Sequence, residues 1–409
     1  MNNSENNSTF VLYTNASSLL DHTNGASKSV RLILEALATQ ECIVHAVMGC
    51  TSDCKEGFKR NQSIWLEQGS TQSQKKLSRF TKNNVHYSLV ATEHWSRRYV
   101  AADEQELIYR ESLDLIEIAE QSFKKRILIG WGNLLLEEAI FKHAKEHGFQ
   151  IYFYLANPSY KNKKVPTISL STSILTDSKA TKTLYSSDFK TEITVLPKCI
   201  EPPGSLTPVE QLWRKQSIVF VNAKLRKGLE ALIKIANSLQ GKQPNISIRI
   251  VDPGDHLDES LKILELTRDD LPENIKIVGG YPDAESLLAD ATCLLLLSLW
   301  HESGSRLIHE CHLRGIPVLG FATGGTTELL SQFDADLFPR PLTQIDHKGV
   351  IKITSWNSQA IIERIIKLLC DFEYYKQHHQ NILNKSSHLY DNNSKAANII
   401  LNTYAKFRN

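Results

Sequence analysis

Short apolar runs rich in β-branched and aromatic residues alternate along this chain with longer stretches in which apolar positions recur every three or four residues. Nine runs stand out, at 9–13, 43–47, 126–129, 151–155, 217–221, 246–251, 275–278, 293–297 and 316–319. Short strands that are apolar nearly throughout, separated by helical stretches, are what a parallel sheet covered on both faces requires. The pattern predicts an α/β fold, doubly wound and built twice. The Pro/Gly-rich interval 196–210, LPKCIEPPGSLTPVE, splits the alternation near its midpoint and reads as a linker. The expected organisation is an N-terminal Rossmann-like domain over 1–203 and a C-terminal one over 204–385. A last helix within 386–409 would pack back on the first domain.

Two stretches do not fit a minimal nucleotide fold. From 358 onward Ile361, Ile362, Ile365, Ile366 and Leu369 mark one packed helical face. The interval 56–121 is polar and helical in tendency, with Lys75, Lys76, Arg79 and Lys82 close together and Arg97-Arg98 just beyond Trp95. It reads as a helical insertion in the first domain, either a solvated face or a contact surface for an anionic acceptor or a membrane.

Length and composition narrow the class. At 409 residues the chain exceeds the size at which one core stops growing, which supports two domains. With 41% hydrophobic and 22% charged residues it is an ordinary globular protein, and a net charge of +2 is too small for a nucleic-acid binder. MNNSENNS lacks the features of a signal peptide and no apolar stretch approaches a membrane span, so cytoplasmic residence is expected. The 7 cysteines (Cys42, Cys50, Cys54, Cys199, Cys293, Cys311 and Cys370) are scattered and read as free thiols. Cys50 and Cys54 lie near His45, but no second ligand pair follows at zinc spacing, and no metal site is expected.

The chemistry concentrates in 294–330, LLLLSLWHESGSRLIHECHLRGIPVLGFATGGTTELL. Glu302 and Glu310 stand astride a Gly304-Ser305 helix entrance, and a following apolar strand ends in Gly324-Gly325. Backbone N–H groups at a helix start or glycine turn donate to phosphate oxygens, and a carboxylate one turn into the helix can grip ribose or sugar hydroxyls. Leu307, Ile308 and Cys311 form an inward stripe, and Gly315 occupies a helix C-cap position, so a helix is predicted over 305–314. Both carboxylates can then face one crevice at the C-terminal edge of a parallel sheet. The plainer alternative makes Glu310 a solvated helix residue and Glu302 a cap.

The run Glu302-Ser303-Gly304-Ser305-Arg306-Leu307-Ile308-His309-Glu310, with Gly315-Ile316-Pro317-Val318-Leu319 and Gly324-Gly325-Thr326-Thr327-Glu328, resembles a known donor-binding signature. It is the Glu-x7-Glu motif of retaining GT-B glycosyltransferases, in the large family 4 (glycosyl transferases group 1). Phe220 to Gly228 resembles the family's basic Lys-Gly loop, with Ala223 and Lys224 where glycine and arginine are usual. Asp21 to Ser27 resembles its first glycine loop, with Gly25 alone where many relatives have two glycines.

The resemblance implies two Rossmann-like domains facing across a cleft, with the donor held mainly by the second. Glu302 would contact donor-sugar hydroxyls and Glu310 the ribose diol. Lys227 and Lys224 would neutralise the diphosphate, and the amides of Gly304, Ser305, Gly324 and Gly325 would cradle it, with Ser303 and Arg306 as further donor contacts. Gly25 would approach the phosphates from the first domain. No histidine follows either central strand of that domain, which leaves Asn133, Asn157 and His22 as candidate acceptor or sugar contacts. Asn133 and Asn157 read equally as caps or Asx turns, while the plainer alternative for Lys224 and Lys227 is a pair of solvated bases before a helix.

The implied activity is metal-independent retaining transfer from a nucleoside-diphosphate sugar, UDP being the commonest, to a hydroxyl acceptor, with no cofactor beyond this co-substrate. The acceptor is left open among glycan, lipid carrier, peptide and small molecule, and a peripheral contact at the inner face of a membrane is compatible with it. The alternative is a noncatalytic nucleotide-sugar-binding or partner subunit on the same fold.

Overall fold

Strand Thr9–Ser17 (β1) shows why the apolar runs are nearly continuous. Val11 and Tyr13 enter one buried cluster while Phe10 and Leu12 enter another on the opposite face, so neither face of the strand meets water. The computed structural model describes residues 8–407 except 22, 69–75, 157, 244 and 282. The first sheet comprises β1, Cys42–Thr51 (β2), Leu77–Lys82 (β3), Val85–Val90 (β4), Lys125–Gly130 (β5), Gln150–Leu155 (β6), Ser173–Thr176 (β7) and Ile193–Val195 (β8). Their order is β3-β4-β2-β1-β5-β6-β7-β8, parallel throughout except for the antiparallel pair β3–β4.

The second sheet comprises Ser217–Val221 (β9), Ser247–Val251 (β10), Ile275–Val278 (β11), Cys293–Leu296 (β12), Val318–Phe321 (β13) and Leu337–Phe338 (β14), all parallel. Its order, β11-β10-β9-β12-β13-β14, is that of a Rossmann sheet, with the reversal between β9 and β12. A separate antiparallel hairpin pairs Leu342–Ile345 (β15) with Ile351–Ser355 (β16). All nine strands expected from apolar runs are present.

The interval 56–121 is no helical insertion. It contains the helices Lys55–Gln68 and Ala102–Ser122, and between them β4 adds parallel to β2 while β3 closes the sheet edge. The polar content of β3 has a physical cause. An edge strand is half solvated, so only Ser78 on it is fully buried, and Arg79 lies over the sheet to chelate Glu111 at 2.8 and 2.5 Å.

The chain divides into two compact units, one reaching Cys199 and resuming at Asp391, the other spanning Ile200–Tyr390. The returning helix, Asn392–Lys406, lays Ala396, Ala397, Ile400 and Tyr404 into the same cluster as Ile33 and Leu37 of the helix Gly25–Ala38. Gln150 Nε2 donates to the Tyr404 carbonyl at 3.1 Å, and Lys406 pairs with Glu192 at 2.8 Å. All seven cysteines are free thiols, six of them buried. Among the described residues no helix is long and apolar enough to cross a membrane.

Candidate functional site

Open parallel sheets bind ligands beyond the strand C-termini where the order reverses. In the second unit that point lies between β9 and β12, and the loops leaving these strands carry Lys227 and Glu302. After β9 the chain turns at Asn222 (φ 73°) and enters a 3₁₀ turn, Leu225–Lys227, that ends on Gly228 at φ 96°. A Cβ on Gly228 would lie 2.1 Å from the Leu297 carbonyl oxygen, so glycine is what lets this loop pass against the exit of β12. The Leu299 N–H donates to the Arg226 carbonyl at 2.9 Å and stitches the two loops together.

The stitching brings three donors onto one oxygen. Lys227 Nζ lies 2.5 Å from Glu302 Oε1, Trp300 Nε1 donates to the same atom at 3.0 Å, and the Ser298 hydroxyl donates to it as well. None of these three bonds goes to Oε2. The Arg226 guanidinium stacks on the Trp300 ring at 4.2 Å and Lys227 Nζ lies 5.5 Å from the ring centre, which fixes the indole in turn. Glu302 is only 8% exposed. Burial alone would raise its carboxyl, but the Lys227 charge and the three hydrogen bonds outweigh it and hold the group below the ordinary carboxylate value. It is an ionised, oriented acceptor. Ser298, Trp300 and Arg226 were not singled out from sequence, although Ser298 and Trp300 immediately precede Glu302 in the same run.

The two glycine turns pack on each other. Gly304 has φ 145° and Gly324 φ 50°, and the Gly325 N–H donates to the Glu302 carbonyl at 2.6 Å. A Cβ on Gly324 would meet that carbonyl at 2.3 Å, and one on Gly325 would meet the Ser303 carbonyl at 2.6 Å. The Gly325 amide, which the resemblance implies would join a phosphate cradle, is thus engaged within the protein. That amide and both missing side chains serve the loop-to-loop contact that supports Glu302.

The helix expected over 305–314 runs Arg306–His312, with Ser305 at its N-cap making no side-chain capping bond. At its end the Gly315 N–H bonds to the His312 carbonyl and the Ile316 N–H to that of Cys311, the paired pattern of a glycine-terminated helix, with Gly315 at φ 67°. Ile308 and Cys311 point into the core beneath the sheet. Glu310 is 1% exposed, so the solvated alternative does not hold, and Arg306 Nε donates to its Oε1 at 2.9 Å. A ribose contact through Glu310 would be shared with Arg306. Lys224 sits one residue before the 3₁₀ turn, where its carbonyl accepts the Lys227 N–H at 2.9 Å. The His256 imidazole is lowered first by burial and then by the Lys224 charge. Ser303 is buried, and Ser305 and Arg306 are half-buried.

In the first unit the reversal lies between β1 and β5. Gly25 opens the helix Gly25–Ala38, whose next two amides, Ala26 and Ser27, are already taken by the Asn24 side chain at 2.8 and 3.0 Å. A Cβ on Gly25 would meet nothing within 4 Å, so the protein itself does not require glycine there. Asn133 is exposed beyond β5, on a loop fixed by Asn15 Nδ2 to the Trp131 carbonyl and Thr167 Oγ1 to the Gly132 carbonyl at 2.7 Å. His22 and Asn157 lie outside the described residues.

No protein-family model matches the sequence, and no curated protein matches it either. Solved structures do. Sucrose-phosphate synthase from Thermosynechococcus elongatus aligns over 98% of this chain and 99% of its own, with a TM-score of 0.64 and 13% identity. HepE from Anabaena, solved in complex with UDP-glucose, aligns over 96% and 99% with a TM-score of 0.65 and 14% identity. TarM aligns over 97% and 99% with a TM-score of 0.64 and 12% identity. All three are GT-B glycosyltransferases. The chain has the GT-B fold. Both of its units are Rossmann-like, and the likeness spans each of them.

Proposed function

We propose that this protein is a retaining, metal-independent glycosyltransferase that moves a sugar from a nucleoside-diphosphate sugar, UDP-sugar first, to a hydroxyl-bearing acceptor. The observation that carries the reading is the Lys227–Glu302 pair at the strand-order reversal of the second sheet, with three donors on one carboxylate oxygen. HepE in complex with UDP-glucose and the E. coli protein bound with UDP-2-fluoro glucose, both similar in fold, support a UDP-sugar donor.

In the proposed reaction the bond from the anomeric carbon to the diphosphate oxygen breaks. A bond from that carbon to the acceptor oxygen forms on the same face, and the acceptor proton passes to the departing diphosphate oxygen. The chemistry thus needs no separate protein base. Lys227 supplies the positive charge that stabilises the leaving oxygens, the task a metal ion performs elsewhere, and Lys224 adds to it. Glu302, with Oε1 held from inside, offers Oε2 to a donor-sugar hydroxyl. Glu310, sharing Arg306, takes the ribose diol. Ser303, Gly304, Ser305, Arg306 and Gly324 line the donor side, and Asn133 faces the acceptor. The free cysteines fit a reducing cytoplasm, with peripheral contact at the inner face of a membrane.

A thermal-shift panel of UDP-, GDP-, ADP- and dTDP-sugars tests the donor, since a ligand at 100 times its dissociation constant stabilises by about 2.7 kcal/mol. Proton NMR of the first product reads the anomer, and turnover should survive EDTA. Binding without any transfer or donor hydrolysis would instead make the protein a nucleotide-sugar-binding subunit. Full activity in both Lys227→Ala and Glu310→Ala would refute the site.

A further inference from the structure

The first unit holds a second charged constellation that the donor chemistry leaves unused. Glu137, in the first turn of the helix Leu135–Glu146, is fully buried, and its Oε2 accepts the Leu134 N–H at 2.8 Å. Facing its other oxygen is Arg97, from the loop after β4. Arg97 Nη1 lies 3.7 Å from Glu137 Oε1. Both atoms are buried, and neither has a hydrogen-bond partner. Gly132, at φ 110°, makes room for the guanidinium: a Cβ there would stand 2.7 Å from Nη1 and 2.9 Å from the Glu137 carboxyl carbon. Tyr160, from the loop after β6, lies close enough for the Arg97 charge to act on its hydroxyl, which burial pushes above its ordinary value.

Two other Arg–carboxylate pairs in this molecule close to hydrogen-bonding contact, whereas Arg31 stays 4.0 Å from Glu35. Arg79 reaches Glu111 at 2.8 and 2.5 Å, and Arg364 reaches Asp336 at 2.8 and 2.5 Å. Arg97 stops short of Glu137 and keeps 30% of its side chain exposed. Its guanidinium is thus held by charge and shape beside Glu137, with Nη1 hydrogen-bonded to nothing in the protein while part of the side chain reaches solvent. The surroundings favour an anion. Arg98, Lys163 and Lys164 are exposed on loops at the same C-terminal edge of the sheet, whereas Glu93 and Asp103 are paired with Lys76 at 3.7 and 2.9 Å. The exposed Asn133 follows Gly132 directly.

We propose that Arg97, backed by Glu137 and seated over Gly132, anchors an anionic group, phosphate or carboxylate, carried by the acceptor. The assignment rests on the glycosyltransferase reading for its role, though not for its ligand chemistry. A guanidinium binds either anion through two parallel hydrogen bonds, and the acceptor hydroxyl is then oriented relative to that fixed point.

The test uses the full chain, the donor found in the panel and matched acceptors: glycerol, glycerol 3-phosphate and glyceric acid, and glucose, glucose 6-phosphate and glucuronic acid. The wild type is expected to favour charged members, and the phosphate and carboxylate arms show which anion is preferred. Arg97→Ala should raise KM for the charged acceptors by about 10- to 100-fold, the effect of losing a hydrogen bond to a charged group. KM for the donor and acceptor-free donor hydrolysis should not change, and Arg97→Lys should recover part of the loss. The paired change Arg97→Gln with Glu137→Gln leaves no stranded buried charge, so it separates lost binding from lost folding. Equal use of charged and neutral acceptors by the wild type, or an equal loss for both in Arg97→Ala, overturns the proposal.

If no transfer is seen with any donor, the glycosyltransferase reading fails, and glycerol 3-phosphate binding followed by ligand-observed NMR without donor still decides the site. Binding that disappears in Arg97→Ala and persists in Lys227→Ala upholds it. Binding absent from the wild type, or lost only in Lys227→Ala, overturns it.

Discussion

Replacing Lys227 with methionine removes one of the three donors on Glu302 Oε1 and the only cation among them, while keeping an unbranched side chain of similar length. The buried carboxylate keeps its bonds from Ser298 and Trp300, so it is weakened rather than orphaned. Breaking a fully buried ion pair costs about 3–5 kcal/mol, and losing a hydrogen bond to a charged group costs about 1.5–3 kcal/mol. The two side chains are 22% and 11% exposed, so solvent relieves part of the penalty, and we expect a loss of about 2 kcal/mol for the second unit at neutral pH.

The pH dependence carries a definite sign. In the wild type Glu302 lies below its ordinary value of 4.5, so its contribution to stability is complete above that value and fades as pH falls through the lower folded-state value. Without Lys227, burial raises the carboxyl, and the variant regains stability relative to the wild type as Glu302 takes up a proton. Urea unfolding at pH 7 and at pH 4 should therefore show a deficit that shrinks at the lower pH. A deficit below about 0.5 kcal/mol, the ordinary range of surface substitutions, or one of equal size at both pH values, would refute the electrostatic account of this pair.

Trp300→Phe keeps a ring beneath Arg226 but removes the indole donor to Glu302, so kcat/KM should fall about tenfold in steady-state kinetics with a stability loss near 1 kcal/mol; an unchanged kcat/KM would sever the indole from catalysis. Glu310→Gln leaves Arg306 without its carboxylate and should abolish the thermal shift produced by UDP, whereas a retained shift places the ribose elsewhere. Gly324→Ala forces a Cβ onto the Glu302 carbonyl and should cost more than 2 kcal/mol along with activity, measured by calorimetry and turnover. Gly25→Ala should leave stability within about 0.5 kcal/mol, because its Cβ meets open space; loss of activity in that otherwise stable variant would show that a ligand comes close to the Gly25 backbone.

The sheets were readable wherever strands are buried on both faces. The runs at 9–13 and 217–221 stand out because their residues feed two clusters at once. The strands β3 and β4 escaped notice for the opposite reason. At the edge of the sheet, Arg79 and Lys82 can face solvent, and the alternation of Val85, Tyr87 and Leu89 with His86 and Ser88 is only five residues long. In the site, the contact of Lys227 with Glu302 depends on the order of β9 and β12 in space, which no local spacing reveals. Their resemblance to known donor-site positions is what made them candidates. The Arg306–Glu310 pair was open to inspection, since four residues on a helix make neighbours. The use of the Gly325 amide inside the protein was not, because it depends on how closely two loops, joined only through the sheet, approach each other.

The return of Asn392–Lys406 to the first unit has a consequence for biogenesis. The helix Gly25–Ala38 emerges from the ribosome long before the residues that cover part of its apolar side, Ala396, Ala397, Ile400 and Tyr404. The entire second unit, Ile200–Tyr390, is translated and can fold in the interval. During synthesis the first unit therefore waits with an uncovered hydrophobic face, a state that invites chaperone binding and that the arrival of Asn392–Lys406 brings to an end.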